Sequence, residues 1–174
     1  AIVVTEKCYI RPYEHSDATA SQPAANDPEV SRFLRNRFPS PYTLENAHSF
    51  IKMAIEARPV VDFAVFKSDG TFAGGIGLTP GSDVTYRTYE LGYWTGKDAW
   101  GQGITTSAVT GFCRWAFVAF PEMLRLEAEV CHENAASVRV LEKAGFIREG
   151  VKRQAYCKKG VVMDMIMFSM LRQD

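Results

Sequence analysis

Apolar and polar positions along this chain follow two periods, and each switch between them marks a new element. Val61 to Phe66 and Phe72 to Leu78 are short apolar runs joined by Ser68-Asp69-Gly70, which predicts a β-hairpin. Thr88 to Thr95 alternates residue by residue, with Tyr89, Leu91 and Tyr93 on one face and Glu90, Gly92 and Trp94 on the other. Leu124 to Cys131 alternates in the same way, turning Leu126, Ala128 and Val130 inward. Elsewhere the spacing is helical. After Thr43, a helix cap with Glu45 in the first turn, the residues Ala47, Phe50, Ile51, Ala54 and Ile55 predict a helix to about Arg58. Ile104 to about Ala119 predicts a second helix, burying Ala108, Phe112, Trp115, Ala116 and Ala119 and closed by Pro121. Asn134 to Ala144 predicts a third, stopped by Gly145.

The ends of the chain complete the pattern. Cys8 to Pro12 reads as a first strand, Ser16 or Asp17 caps a following helix, and Asn26-Asp27-Pro28 restarts a helical turn to about Leu34. Phe38-Pro39-Ser40-Pro41 is a loop, and Phe146–Val151 and Val161–Leu171 are the last two strands. The order β-αα-ββ-β-α-β-α-β-β predicts one α+β (mixed α/β) domain over residues 1–174. Its sheet is mixed and mostly antiparallel, of about six to seven strands flanked by about four helices. Parallel pairing is expected around the two later crossover helices.

Composition narrows the functional classes. The 174 residues are 47% hydrophobic, enough to fill one core without staples. Twenty basic against twenty acidic residues give no bulk charge to draw nucleic acid or an anionic membrane. Cys8, Cys113, Cys131 and Cys157 are scattered without a Cys-x-x-Cys pair, which fits reduced thiols inside a cell. The most apolar window, Phe112 to Phe120, is short and interrupted by Arg114, and Glu6 and Lys7 sit where a signal peptide needs an apolar stretch. A soluble cytoplasmic protein is expected. His15, His48 and His132 lie far apart, so no metal site is expected.

Chemistry enters with Tyr89-Glu90-Leu91-Gly92-Tyr93-Trp94 and the following Trp100-Gly101-Gln102-Gly103-Ile104-Thr105-Thr106. A strand leads through a glycine-bearing turn straight into an apolar helix, so several N–H groups converge at the positive end of a helix dipole. No acidic residue occupies them; Thr105, Thr106 and Ser107 bring hydroxyls instead. That is the layout of a pyrophosphate cradle. A P-loop requires Gly-Lys-Ser/Thr, and Ile104 follows Gly103. A dinucleotide fingerprint requires a third glycine where Thr106 stands.

Trp100-Gly101-Gln102-Gly103-Ile104-Thr105 resembles the Arg/Gln-x-x-Gly-x-Gly/Ala acyl-CoA loop of the GNAT superfamily of N-acetyltransferases. Asn134-x-x-Ser137 followed by Leu141-Glu142-Lys143-Ala144-Gly145-Phe146 resembles that superfamily's other signature. Several further segments look like the RimJ/RimL branch: Gly92-Tyr93-Trp94, Glu149-Gly150, the opening Tyr9-Ile10-Arg11-Pro12-Tyr13 and Asp27-Pro28-Glu29-Val30. The chain departs from the pattern where Trp100 replaces Arg or Gln and where Thr105 adds bulk.

The resemblance implies transfer of the acetyl group from acetyl-CoA, as co-substrate, to a primary amine, by direct attack in a ternary complex. It implies that Tyr93, Trp94 and Thr95 pair with the pantetheine arm. Gly101, Gln102, Gly103, Ile104, Thr105 and Thr106 would hold the pyrophosphate, with Asn134 as a further cofactor anchor and Ser137 as the partner of the sulfur. Asn134 equally fits a plain helix N-cap. Glu90 is the first choice of general base, its pKa raised in a partly apolar cleft; a solvated glutamate or an ion pair with Arg87 fits the same position. Glu127 and Glu129 on the neighbouring strand offer the same role through water. The aromatic set Phe33, Phe38, Tyr42, Tyr86, Tyr89 and Tyr156 offers walls for an acceptor pocket, and Arg35 and Arg37 lie in the loop that lines it. The acceptor is a protein N-terminus or a small amine. Members of the branch often pair as homodimers. A different function stays open, an acyl-CoA-binding sensor or partner module with little turnover, because Leu141 stands where many GNAT enzymes carry a Tyr that serves as general acid.

Overall fold

The computed structural model describes residues 1–174. One eight-stranded sheet runs through it in the order β1-β2-β3-β4-β5-β6-β8-β7. The strands are β1 (Val3–Val4), β2 (Cys8–Pro12), β3 (Asp62–Lys67), β4 (Phe72–Pro80), β5 (Thr88–Thr95), β6 (Arg125–Cys131), β7 (Ile147–Lys158) and β8 (Val161–Leu171). The helices are α1 (Ala18–Ala25), α2 (Pro28–Ser31), α3 (Leu44–Glu56), α4 (Ile104–Ala119) and α5 (Ala135–Ala144). The mixed, mostly antiparallel α+β architecture expected from the sequence is therefore the one observed, with one strand, β1, that the sequence pattern did not resolve and with the short turn of α2 counted as a fifth helix.

Helices α2, α3 and α5 start where a side chain takes up a free N–H group, whereas Asp17 before α1 accepts from Glu14 N–H instead and makes no cap bond to α1. Thr43 accepts from Asn46 N–H while the Asn46 side chain accepts from Thr43 N–H, closing a capping box at α3. Asp27 caps α2. Asn134 caps α5, and Gly145 ends it at φ 96°, in the left-handed region.

The sheet is covered on both faces. On one face α4 and α5 pack on the inward side chains of β5, β6 and β8, with Phe112, Leu126, Leu141 and Phe168 fully buried. The Phe112 ring lies 5.7 Å from that of Phe63 and 5.4 Å from that of Trp115. On the other face α1 and α3 cover β3 through Ala18, Ala47, Ile51 and Ala54 against Ala64 and Phe66. No helix is long and apolar enough to cross a membrane.

Four expectations change. Ala119 is exposed, and Val109 and Cys113 take its place in the core of α4. β7 runs on from Val151 to Lys158, as an edge strand whose exposed charged residues gave no alternation to read. Helix α3 stops at Glu56, short of Arg58. Finally, only β5 and β6 pair in parallel. After α5 the chain does run alongside β6 in the same direction, but β8 inserts between β6 and β7 and pairs antiparallel with both.

Replacing Phe112 by Ala removes the ring on which the α4 face of the core is assembled. The substitution is expected to cost roughly 3–5 kcal/mol in urea unfolding, and a cost under about 1 kcal/mol, the range of surface changes, would show that α4 does not depend on it.

Candidate active site

The sheet opens between β5 and β6. β5 pairs with β4 from Tyr89 to Thr95, but β6 matches it only over Thr88, Tyr89 and Glu90. From Leu91 onward the outer edge of β5 has no strand beside it, while β6 follows β8 as far as Cys131. Local contacts hold the end of β5 toward β4. Gly96 N–H donates to Ala73 at 2.8 Å, and the Trp100 indole donates to the Thr95 carbonyl at 2.9 Å. Gly74 allows this approach, since a Cβ there would lie 2.1 Å from the Trp94 oxygen.

At the mouth of this wedge α4 begins. Gly103 is its N-cap at φ 75°, and no acidic residue lies in the first turn. The peptide N–H groups of residues 101 to 106 donate to no acceptor in the protein; the next donor along the chain is Ser107 N–H, to the Gly103 carbonyl at 3.1 Å. Six consecutive N–H groups are thus left without an acceptor at the positive end of a sixteen-residue helix. Free N–H groups at a helix N-terminus favour negative charge.

The side chains of the loop are mostly occupied within the fold. Thr105 Oγ1 lies 2.6 Å from Thr95 Oγ1, so the bulk of Thr105 turns toward β5. Ser107 Oγ lies 2.8 Å from Thr5 Oγ1. Gln102 donates its side-chain N–H to the Asp98 carbonyl at 2.8 Å. Of the three hydroxyls expected at this helix start, two are therefore engaged elsewhere, and the backbone supplies most of its donors. Trp100 is 45% exposed and acts through its indole N–H on Thr95.

Across the wedge, Tyr93 and Ser137 meet, their hydroxyl oxygens 2.6 Å apart. Burial pushes the Tyr93 phenol up to about 12, with the Ser137 hydrogen bond partly opposing it, so the pair is two neutral hydroxyls at neutral pH. The Asn134 side-chain oxygen accepts from Ser137 N–H at 3.3 Å, so the capping role is present and the Asn134 amide NH2 remains as a donor. Leu141 is fully buried in the core and offers no acid.

The opposite face of the sheet carries the carboxylates. Glu90 and Glu127 are register partners on β5 and β6, and Glu129 follows on the same face. Glu90 lies 2.9 Å from Arg35 rather than against Arg87, whose guanidinium donates to the Glu122 carbonyl. Arg35 also approaches Glu129 at 3.9 Å; Lys152 pairs with Glu129, and Arg125 with Glu127. The Glu90 side chain is 30% exposed, so the apolar cleft expected around it is instead an ion-pair network. Gly92, beside Glu90, is exposed with open space where a Cβ would stand.

The aromatic set divides. Phe38 packs on Tyr42 and Trp94 at 5.0 and 5.4 Å, and Phe33 and Tyr156 pack against Cys131, Met163 and Met165. Tyr156 also donates to the Phe33 carbonyl at 3.2 Å, fixing the loop that carries Arg35. Tyr89 packs in the core against Phe120, and Tyr86 is exposed on the surface; neither faces the carboxylates. Three features were not legible in the sequence: the Arg35–Glu90 pair, the Tyr93 phenol opposite Ser137, and Lys7, whose Nζ donates to the Gln102 carbonyl at 3.0 Å. Each joins residues far apart in the chain with no local pattern to announce the contact.

The sequence profile of the "Acetyltransferase (GNAT) domain" family matches residues 7–147, most of the chain, and the protein belongs to that acyltransferase family. It is similar to "Probable N-acetyltransferase YjcK" of Bacillus subtilis, 31% identical and covering 95% of this chain and 94% of that protein. It is also similar to "Uncharacterized N-acetyltransferase p20" of Bacillus licheniformis, 28% identical over 98% of this chain and 96% of the relative. The fold is shared with RimL, a ribosomal L7/L12 alpha-N-protein acetyltransferase solved in complex with coenzyme A. The two superpose with a TM-score of 0.84 at 17% identity, over 98% of this chain and 97% of that one.

Removing either hydroxyl of the Tyr93–Ser137 pair leaves the other without its partner. Ser137→Ala and Tyr93→Phe are each expected to cost about 1 kcal/mol in urea unfolding, with the double variant costing clearly less than the sum. Strict additivity would show that the two hydroxyls do not interact in solution.

Proposed function

We propose that this chain transfers the acetyl group of acetyl-CoA directly to a primary amine, of a protein N-terminus or a small molecule, within a ternary complex. The observation that carries this reading is the corner of six unsatisfied N–H groups at the head of α4, beside a strand edge with no partner. The first suits a diphosphate and the second suits an extended chain bearing amides, and coenzyme A joins those two chemistries in one molecule. Gly101 to Thr106 hold the diphosphate, Tyr93 to Thr95 take the pantetheine arm, and Asn134 adds a side-chain donor. RimL and the immunity acetyltransferase MccE, which share this fold, were solved with coenzyme A and with acetyl-CoA and AMP respectively.

The chemistry then divides between the two faces of the sheet. An N–H group near Tyr93 or Trp94 stabilises the oxyanion that forms when the amine attacks the thioester carbonyl. Ser137 hydrogen-bonds the departing thiolate, with the Tyr93 phenol fixing its orientation. The amine approaches from the exposed Gly92 side, and Glu90 takes its proton once Arg35 has moved off. Binding of a cationic acceptor provides that displacement, because its ammonium competes with the guanidinium for the same carboxylate.

Purified protein is expected to release free thiol from acetyl-CoA in the presence of an amine from a panel of N-terminal peptides and small amines. Glu90→Gln should lower kcat about a hundredfold, within the range of general-base contributions, while leaving the coenzyme A Kd unchanged in calorimetry. An undiminished kcat removes Glu90 from the mechanism. Gly103→Asp sets a carboxylate against the diphosphate and should abolish coenzyme A binding in a protein whose circular dichroism is unaltered. Unchanged affinity in that variant would move the cofactor elsewhere.

A further inference from the structure

Lys7 lies outside the loop and helix that form the anion corner, on the turn between β1 and β2, yet its ammonium reaches that corner. Its Nζ donates to the Gln102 carbonyl at 3.0 Å, and a Cβ at Gly103 would lie 2.8 Å from the same nitrogen. The side chain therefore rests directly on the glycine that caps α4. A larger residue at 103 would have to displace it.

The turn that presents Lys7 is fixed at several points. Thr5 N–H donates to the Cys8 carbonyl at 2.8 Å, and Thr5 Oγ1 accepts from Cys8 N–H at 3.1 Å and from Lys7 N–H at 3.3 Å. The same Thr5 oxygen lies 2.8 Å from Ser107 Oγ, on the first turn of α4. Thr5 thus ties the β1–β2 turn to the helix whose N-terminus forms the corner, and Lys7 two residues later inherits that placement.

The Lys7 ammonium has no carboxylate within ion-pair distance, whereas Lys97 on the neighbouring turn is paired with Glu29. One of the three donors of Lys7 goes to Gln102, and two remain. A cation held beside six N–H groups that themselves lack acceptors is arranged for an anion of more than one negative charge. Helix and backbone supply partial charges only, so a full positive charge complements them.

We infer that Lys7 pairs with the diphosphate of the acyl-CoA bound on residues 101–106, making the β1–β2 turn part of the cofactor site. The inference rests on the proposed acyl-CoA reading of that corner. It assigns Lys7 to binding and leaves the acyl-transfer step to other residues. As an exposed contact its contribution is screened by salt.

Calorimetry of wild type, Lys7→Ala and Lys7→Arg tests this with three ligands: coenzyme A, dephospho-coenzyme A, which keeps the diphosphate and lacks the 3′-phosphate, and S-acetylpantetheine, which lacks both. Lys7→Ala is expected to weaken coenzyme A and dephospho-coenzyme A about tenfold at low ionic strength, with the difference shrinking as salt is raised. Lys7→Arg should retain most of the affinity, and S-acetylpantetheine should bind, or serve as acetyl donor, equally well with all three proteins. An unchanged coenzyme A Kd in Lys7→Ala would overturn the inference. Equal weakening of S-acetylpantetheine would also overturn it, by showing that the variant perturbs the fold. Loss of the effect with dephospho-coenzyme A would do so too, by moving Lys7 to the 3′-phosphate. Wild-type protein that binds no coenzyme A at all would instead remove the reading of the corner on which the inference stands.

Discussion

Six peptide N–H groups without an acceptor, side by side at the start of α4, are the constraint to which the rest of the site answers. A folded chain satisfies nearly all of its backbone donors, and leaving a run of them unpaired has a cost unless solvent or a ligand takes them up. The fold keeps this run from closing on itself. Gly103 takes the left-handed region at the N-cap, where it has no side chain to accept from the N–H groups. Thr105 and Ser107, whose hydroxyls lie nearby, are drawn away by Thr95 and Thr5. The absence of an acidic residue from the first turn leaves the helix dipole uncompensated.

The divergence of β5 from β6 is the second half of the same construction. β5 is held to β4 along its full length by ladder pairing, by Gly96 on Ala73 and by the close approach that Gly74 permits. β6 is held to β8 over seven residues. With each strand committed to a different neighbour, the sheet can pair across the join only at Thr88 to Glu90. The open edge therefore follows from stronger commitments on either side. It points along β5 toward the corner of N–H groups. The Tyr93–Ser137 contact bridges the opening on the α5 side, and the carboxylate strip lies on the opposite face, so two chemically distinct surfaces address one gap.

What the sequence disclosed follows from how local each signal is. The alternation in Thr88–Thr95 and the helical spacing in Ile104–Ala119 located β5 and α4 to the residue, because both elements are half-buried and their patterns are written within one window. The loop from Trp100 to Thr106 was legible for the same reason. β1 has only two residues, too short for any period, and the second half of β7 is an exposed edge with the interrupted register around Gln154. The insertion of β8 between β6 and β7 is a tertiary choice that helix and strand order alone does not specify. On the carboxylate strip, the strand face that carries Glu90 was readable but the partner of its side chain was not. Arg35 reaches it from a loop fixed by Tyr156, a contact spanning more than a hundred residues of sequence. Lys7 on Gln102 is equally remote, with a separation of 95.

The account stands or falls on where coenzyme A touches the backbone. Titrating coenzyme A into isotopically labelled protein while following the backbone amide resonances tests this directly, since each N–H group is a separate probe. The resonances of residues 101–106 and of Tyr93 to Thr95 are predicted to shift most, in step with saturation. Shifts concentrated elsewhere, with the amides at the head of α4 unmoved, would contradict the account.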